Sequence, residues 1–167
     1  MKLIAKARFA RLWVMVLLTG MSLVSFSALS FAVTIGEHYG GGIVFYVDPS
    51  GQHGLIAATS DIPDLPGSTR TYSDVPCGYT WVQAKFACSK LKTGGYHDWY
   101  LPSKDELAQL YRNGVVVGGF AGSTGGYWSS SEGSTGLAWE QPLYGVKPVP
   151  SQVHKSWAFS VRAVRAF

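Results

Sequence analysis

The chain is short of the residues that build common catalytic and metal centres. Its 167 residues include two cysteines, four histidines and ten acidic residues. No two histidines stand four apart, no Cys-x-x-Cys pair occurs, and no run has the spacing of an EF-hand. The usual zinc and calcium frameworks therefore have no basis in the sequence, and no metal or cofactor is expected. Asp61 and Asp64 share a proline-containing loop and read as solvated carboxylates. Gly-x-Ser-x-Gly is absent around Ser129–Ser131, and the glycine-rich "GFAGSTGG" lacks the Gly-Lys-Ser/Thr ending of a phosphate loop. No catalytic residue is assigned, and the serine run reads as a turn feature that satisfies nearby backbone groups.

Charge is missing from one long stretch as well. Lys2, Lys6, Arg8 and Arg11 are followed by an uncharged run from Leu12 to Ile35, strongly apolar over Leu12–Leu18 and ending in Ser30-Phe31-Ala32. A basic start, an apolar middle and small residues at −3 and −1 make a secretory signal, with cleavage expected between Ala32 and Val33. The rival reading is an uncleaved anchor, which would be the one membrane contact. The expected division is thus a signal peptide over 1–32 and one domain over 33–167, placed in the periplasm, at the cell surface or outside the cell. Four of the 14 basic residues lie in the signal, so the remainder carries ten basic against ten acidic side chains. No bulk basic footprint for nucleic acid remains.

The exported part holds both cysteines, Cys77 and Cys88. In an oxidising compartment such a pair reads as a disulfide, contributing about 3 kcal/mol through its short loop. It also holds five of the six tryptophans and all nine tyrosines. Large rings must supply much of the core in a domain with few Leu and Ile.

The pattern predicts strands and helices in a definite order. Ile43–Val47 and Leu55–Ala58 flank Asp48-Pro49-Ser50-Gly51, the residues of a type I turn, and so form a hairpin. Thr59–Pro76 reads as a long loop. Thr80–Leu91 reads as a helix capped by Thr80, with Trp81, Ala84, Cys88 and Leu91 on one face and Gly94-Gly95 at its stop. Ser103 and Glu106 form a capping box for a second helix, with Leu107, Leu110 and Tyr111 inward and Asn113-Gly114 at its end. Val115–Val117 then returns to strand. Tyr127–Ser130 and Leu137–Gln141 pair across a turn. Phe159, Val161 and Ala163 alternate with Ser160 and Arg162, as in a half-buried strand. The fold class is α+β.

The runs "IGEHYGGGIVFYVDPSGQHGLIAA", "TWVQAKFACSKL", "GGYHDWYLPSKDEL", "GGFAGSTGGYWSSSE", "AWEQPL" and "VRAVRAF" follow one another in order. Together they resemble the Lcl C-terminal domain family, the C-terminal domain of the Legionella collagen-like adhesin, over about Ile35–Phe167. The resemblance implies a C-type-lectin-like fold, similar to that of formylglycine-generating enzymes, with twisted antiparallel sheets, two helices and long loops. It also implies surface adhesion, sulfated glycans as ligands and a homotrimer. The resemblance also implies a cysteine in the terminal arginine strand as partner of the helix cysteine; at that position this chain has Ala163, so Cys77 is the available partner of Cys88. The collagen-like Gly-x-y tract is absent from this sequence. The leading expectation is an exported, non-enzymatic adhesion or carbohydrate-binding module whose surface comprises Trp139, Tyr144, Lys147, His154 and Lys155. The lysines would meet anionic groups and the rings would stack on sugars. The alternatives are an enzyme acting on envelope polymers and a periplasmic scaffold that binds a partner protein.

Overall fold

A computed structural model describes residues 33–63, 78–120, 125–143 and 149–167. Its element order is β1 (His38–Tyr39), β2 (Gly42–Val47), β3 (Gly54–Ala57), α1 (Trp81–Lys90), α2 (Lys104–Arg112), α3 (Gly114–Val117), β4 (Gly126–Glu132), β5 (Leu137–Pro142), β6 (Ser151–His154) and β7 (Val164–Ala166). Two antiparallel sheets result, one in the order β1-β2-β3-β7 and one in the order β4-β5-β6. The α+β class is therefore observed. No helix among the described residues is long and apolar enough to cross a membrane.

Local chemistry explains the first elements. Gly51 N–H donates to the Asp48 carbonyl at 3.0 Å, closing the turn between β2 and β3. The ladder pairs Val44 with Ile56 and Tyr46 with Leu55, so Phe45 is an extra residue in a bulge. At α2, Ser103 Oγ accepts from Glu106 N–H at 3.3 Å, and Glu106 Oε2 accepts from Ser103 N–H at 2.7 Å. At α1, Gln83 Oε1 accepts from Thr80 N–H at 2.9 Å.

Two sequence expectations are corrected. Val115–Val117 is one helical turn and not a strand. The Asn113 carbonyl accepts from both Val116 and Val117 N–H at 3.0 Å, and Asn113 Nδ2 is tied to the Phe45 carbonyl at 2.9 Å. The β preference of valine depends on a neighbouring strand. Here the main chain bonds back to Asn113 instead, and only Val117 is buried. The C-terminal segment is likewise not half-buried, since Ser160 through Arg165 are all buried and only Val164–Ala166 is strand.

That segment is the seam of the domain. β7 pairs with β3, Val164 bridges to Tyr100, Ser160 to Tyr127, and Phe159 to Tyr79. It packs between two apolar clusters. One gathers Val44, Ile56, Trp81, Ala84, Cys88, Trp99, Trp128 and Val161. The other gathers Phe45, Leu107, Leu110, Tyr127, Leu143 and Val164. Alternation along β2 and β4 thus sends neighbouring side chains to opposite clusters.

Arg162 is 0% exposed within this seam. Its Nε donates to Asp61 Oδ1 at 2.7 Å and its Nη1 to the Ala58 carbonyl at 2.9 Å. Further bonds reach the carbonyls of Gly118 and Gly119. Asp61 also accepts from Tyr127 Oη at 2.6 Å. Asp61 is therefore not the solvated carboxylate that its loop composition suggests; Asp64 lies outside the described residues.

Candidate functional site

The stretch Gly126–Glu132 runs between two helix starts, and its serines are used locally. Ser129 Oγ donates to the Trp139 carbonyl at 2.9 Å and accepts from Ser131 N–H at 3.3 Å. Ser131 Oγ accepts from Lys104 N–H at 2.9 Å, joining β4 to the start of α2. Trp81 Nε1 donates to the Ser129 carbonyl at 2.8 Å, joining β4 to the start of α1.

Around these links, lysine side chains lie on tryptophan rings. Lys85 Nζ is 4.2 Å and Lys155 Nζ is 4.4 Å from the Trp81 ring centroid. Lys104 Nζ is 4.5 Å from that of Trp139. Lys85 follows Trp81 by one helical turn, which brings its ammonium over the indole. Lys155 arrives from the end of β6, held by a bond from Trp81 N–H to its carbonyl at 3.0 Å. Its ammonium donates to Glu132 Oε2 at 2.6 Å. That bond lowers the Glu132 carboxyl below its usual range. Lys85 and Lys104 have no ion-pair partner among the described residues.

A cavity of about 250 Å³ opens beside Lys85, lined by Lys85, Ser89, Trp99, Tyr100, Leu101 and Ser130. Several lining polar groups are already engaged. Trp99 Nε1 donates to the Thr93 carbonyl at 3.3 Å, and Ser89 Oγ to the Phe86 carbonyl at 2.8 Å. Tyr100 Oη donates to Glu106 Oε1 at 2.7 Å, and burial followed by this bond holds its phenol strongly in the neutral form. Lys85 and Ser130 complete the lining beside Trp99 and Leu101, and the Lys85 ammonium, over the Trp81 ring, has no ion-pair partner among the described residues. The space is below the roughly 300–1,000 Å³ of pockets that enclose drug-sized ligands, so it suits a single ring with an anionic or hydroxyl substituent.

Of the residues expected from sequence, the three among the described residues are divided between two faces of a sheet. Trp139 pairs with Gln152 and Leu137 with His154, so Trp139 and His154 share one face of the β4-β5-β6 sheet. Ala138 and Val153 occupy the opposite face, and Lys155 reaches Trp81 on that side. His154 faces Trp157, with ring centroids 6.2 Å apart. Tyr144 and Lys147 lie outside the described residues. Trp128 is fully buried and Trp139 partly so. Lys85, Ser130 and Lys104 are not among the residues that the sequence singles out. Lys85 had a readable signal, a cation one turn from a tryptophan on a predicted helix. Lys104 and Ser130 depend on contacts between distant segments.

Cys88 is buried with a free thiol, and burial pushes that thiol up to about 12. Its expected partner, Cys77, lies outside the described residues. A scan against protein-family models gave no match, and no curated protein matches the chain.

Proposed function

We propose that the domain is an exported, non-enzymatic carbohydrate-binding module of the adhesion type, with a fold of the C-type-lectin-like kind and membership of the Lcl C-terminal domain family. The observation that carries the reading is the Lys85 ammonium beside a cavity walled by Trp99 and Leu101, with Ser130 in its lining. An acidic or sulfated sugar needs these three things together: a cation for its charge, a polar group for a hydroxyl, and an apolar wall for its C–H face. The Lys85 ammonium is held over the Trp81 ring, which lowers the ordering cost of a charged contact. The ligand class on this reading is an anionic glycan at a surface, taken one ring at a time.

The test is direct binding of the full chain to sulfated, uronic-acid-containing and neutral glycans. Anionic glycans bind best, and Lys85→Gln weakens them by about tenfold, the loss of one charged hydrogen bond worth roughly 1.5 kcal/mol. Absence of binding to every glycan at millimolar concentration overturns the proposal.

A further inference from the structure

The outward faces of α1 and α2 are built differently. α2 buries Leu107 and Leu110 and exposes Asp105 and Arg112. α1 buries Trp81, Ala84 and Cys88, yet it also exposes Val82 (67%) and Phe86 (63%). These two residues are one turn apart and form a single ridge on the side away from the core. Lysines frame the ridge. Lys85, Lys90 and Lys92 are exposed, and Lys90 Nζ lies 5.2 Å from the Phe86 ring centroid. No acidic residue occurs from Gly78 to His97. Glu132, which is bonded to Lys155, acts on Lys85 within this group.

Two large apolar side chains on an exposed helix face, bordered by lysines, suit shallow insertion at an anionic lipid surface. Two side chains are too little for a stable protein interface, which needs about 800 Å² per partner. A bilayer sets no such threshold. It accepts shallow apolar insertion and adds about fivefold in affinity for each lysine near an anionic surface, the equivalent of about 1 kcal/mol. We propose that the outer face of α1 docks on an anionic lipid bilayer, with Val82 and Phe86 entering the headgroup boundary and Lys90 and Lys92 against lipid phosphates. This goes beyond the glycan reading and needs none of it, because these four residues line no part of the cavity. It also differs from the sequence expectation, which confined membrane contact to the first 32 residues.

The experiment is hydrogen exchange read on α1 of the full chain, with and without vesicles. The vesicles are phosphatidylcholine alone, or phosphatidylcholine with about one-third phosphatidylglycerol. A readout local to α1 separates its docking from any vesicle contact made by the N-terminal segment. Exchange across residues 82–91 slows several-fold with anionic vesicles and stays unchanged with neutral ones. Val82→Ser/Phe86→Ser abolishes the slowing, and Lys90→Gln/Lys92→Gln reduces it by an order of magnitude or more in lipid concentration. As a second measurement, Phe86→Trp gains fluorescence quenched by brominated acyl chains. Unchanged α1 exchange with anionic vesicles overturns the proposal, as does slowing that survives Val82→Ser/Phe86→Ser. Concentration-dependent slowing without vesicles would assign the face to a second copy of the chain and overturn it as well.

Discussion

Arg162 and Asp61, 101 positions apart in sequence, meet with Nε and Oδ1 2.7 Å apart. The arginine is wholly buried, and its remaining donors reach carbonyls at Ala58, Gly118 and Gly119. One side chain therefore fixes the ends of two loops against the C-terminal seam. Removing it leaves buried acceptors without their donor. Arg162→Met is expected to destabilise the domain by about 3–5 kcal/mol, read as a lowered urea midpoint. Arg162→Lys recovers only part, since three ammonium donors cannot reproduce a planar fork that serves four residues.

Glu140 gives a prediction for pH. It is 7% exposed, its Oε1 accepts from Ser151 Oγ at 2.6 Å, and its Oε2 has no hydrogen-bond partner among the described residues. Burial raises its carboxyl above the usual glutamate value, against a smaller opposing effect from Ser151. The folded state then holds this proton over a pH range in which the unfolded chain has lost it. Stability contributed by this site is therefore full below the ordinary carboxylate range. It falls as pH rises through that range to the raised folded value, and then levels off. Glu140→Gln removes the dependence and makes the domain more stable than wild type at neutral pH. Urea denaturation at pH 4 and pH 7 checks this, and an unchanged difference between the two proteins would contradict it.

The same carboxyl explains Gly126. A Cβ at that position would stand 1.9 Å from Glu140 Oε2 and 3.1 Å from Phe159 Cδ1. Gly126→Ala must push the carboxyl out of its seat and costs about 1–3 kcal/mol, as overpacked cores do. Because the clash is with one side chain, Gly126→Ala/Glu140→Ala should cost less than the sum of the single changes. A double-mutant cycle by thermal or urea unfolding measures the coupling, and strict additivity would place the clash elsewhere.

Legibility in the sequence followed the range of the interactions. The capping box of α2 and the turn after β2 are settled within four residues, and both are read directly from residue types. The inward face of α1 follows from its periodicity, although its outward Val82 and Phe86 do not. Val115–Val117 misleads because strand preference is a property of a site in a sheet, and among the described residues this segment pairs with no strand. Arg162 misleads for a related reason. Alternation with Val161 and Ala163 suggests a solvent side, while its partners lie 43 or more residues away. In the candidate site, Lys85 on Trp81 is a local pairing and readable. Lys155 on the same ring requires the path of β6, and the separation of Trp139 from Lys155 across a sheet requires the register.

Cys88 supplies a last test, and it bears on the expected disulfide. The thiol lies in the core beside Trp81, Ala84 and Trp99, and burial holds it in the protonated form. Alkylating reagents act on thiolates, so the native chain should modify Cys88 far more slowly than an exposed cysteine at pH 8. Modification should follow global unfolding, and its rate should rise with urea in step with loss of the tryptophan signal. Mass spectrometry of the alkylated peptide containing residues 86–90 reads the outcome. Rapid labelling under native conditions would show that α1 opens locally. Resistance that persists in urea and ends on adding reductant would show Cys88 bonded to Cys77 in the isolated protein.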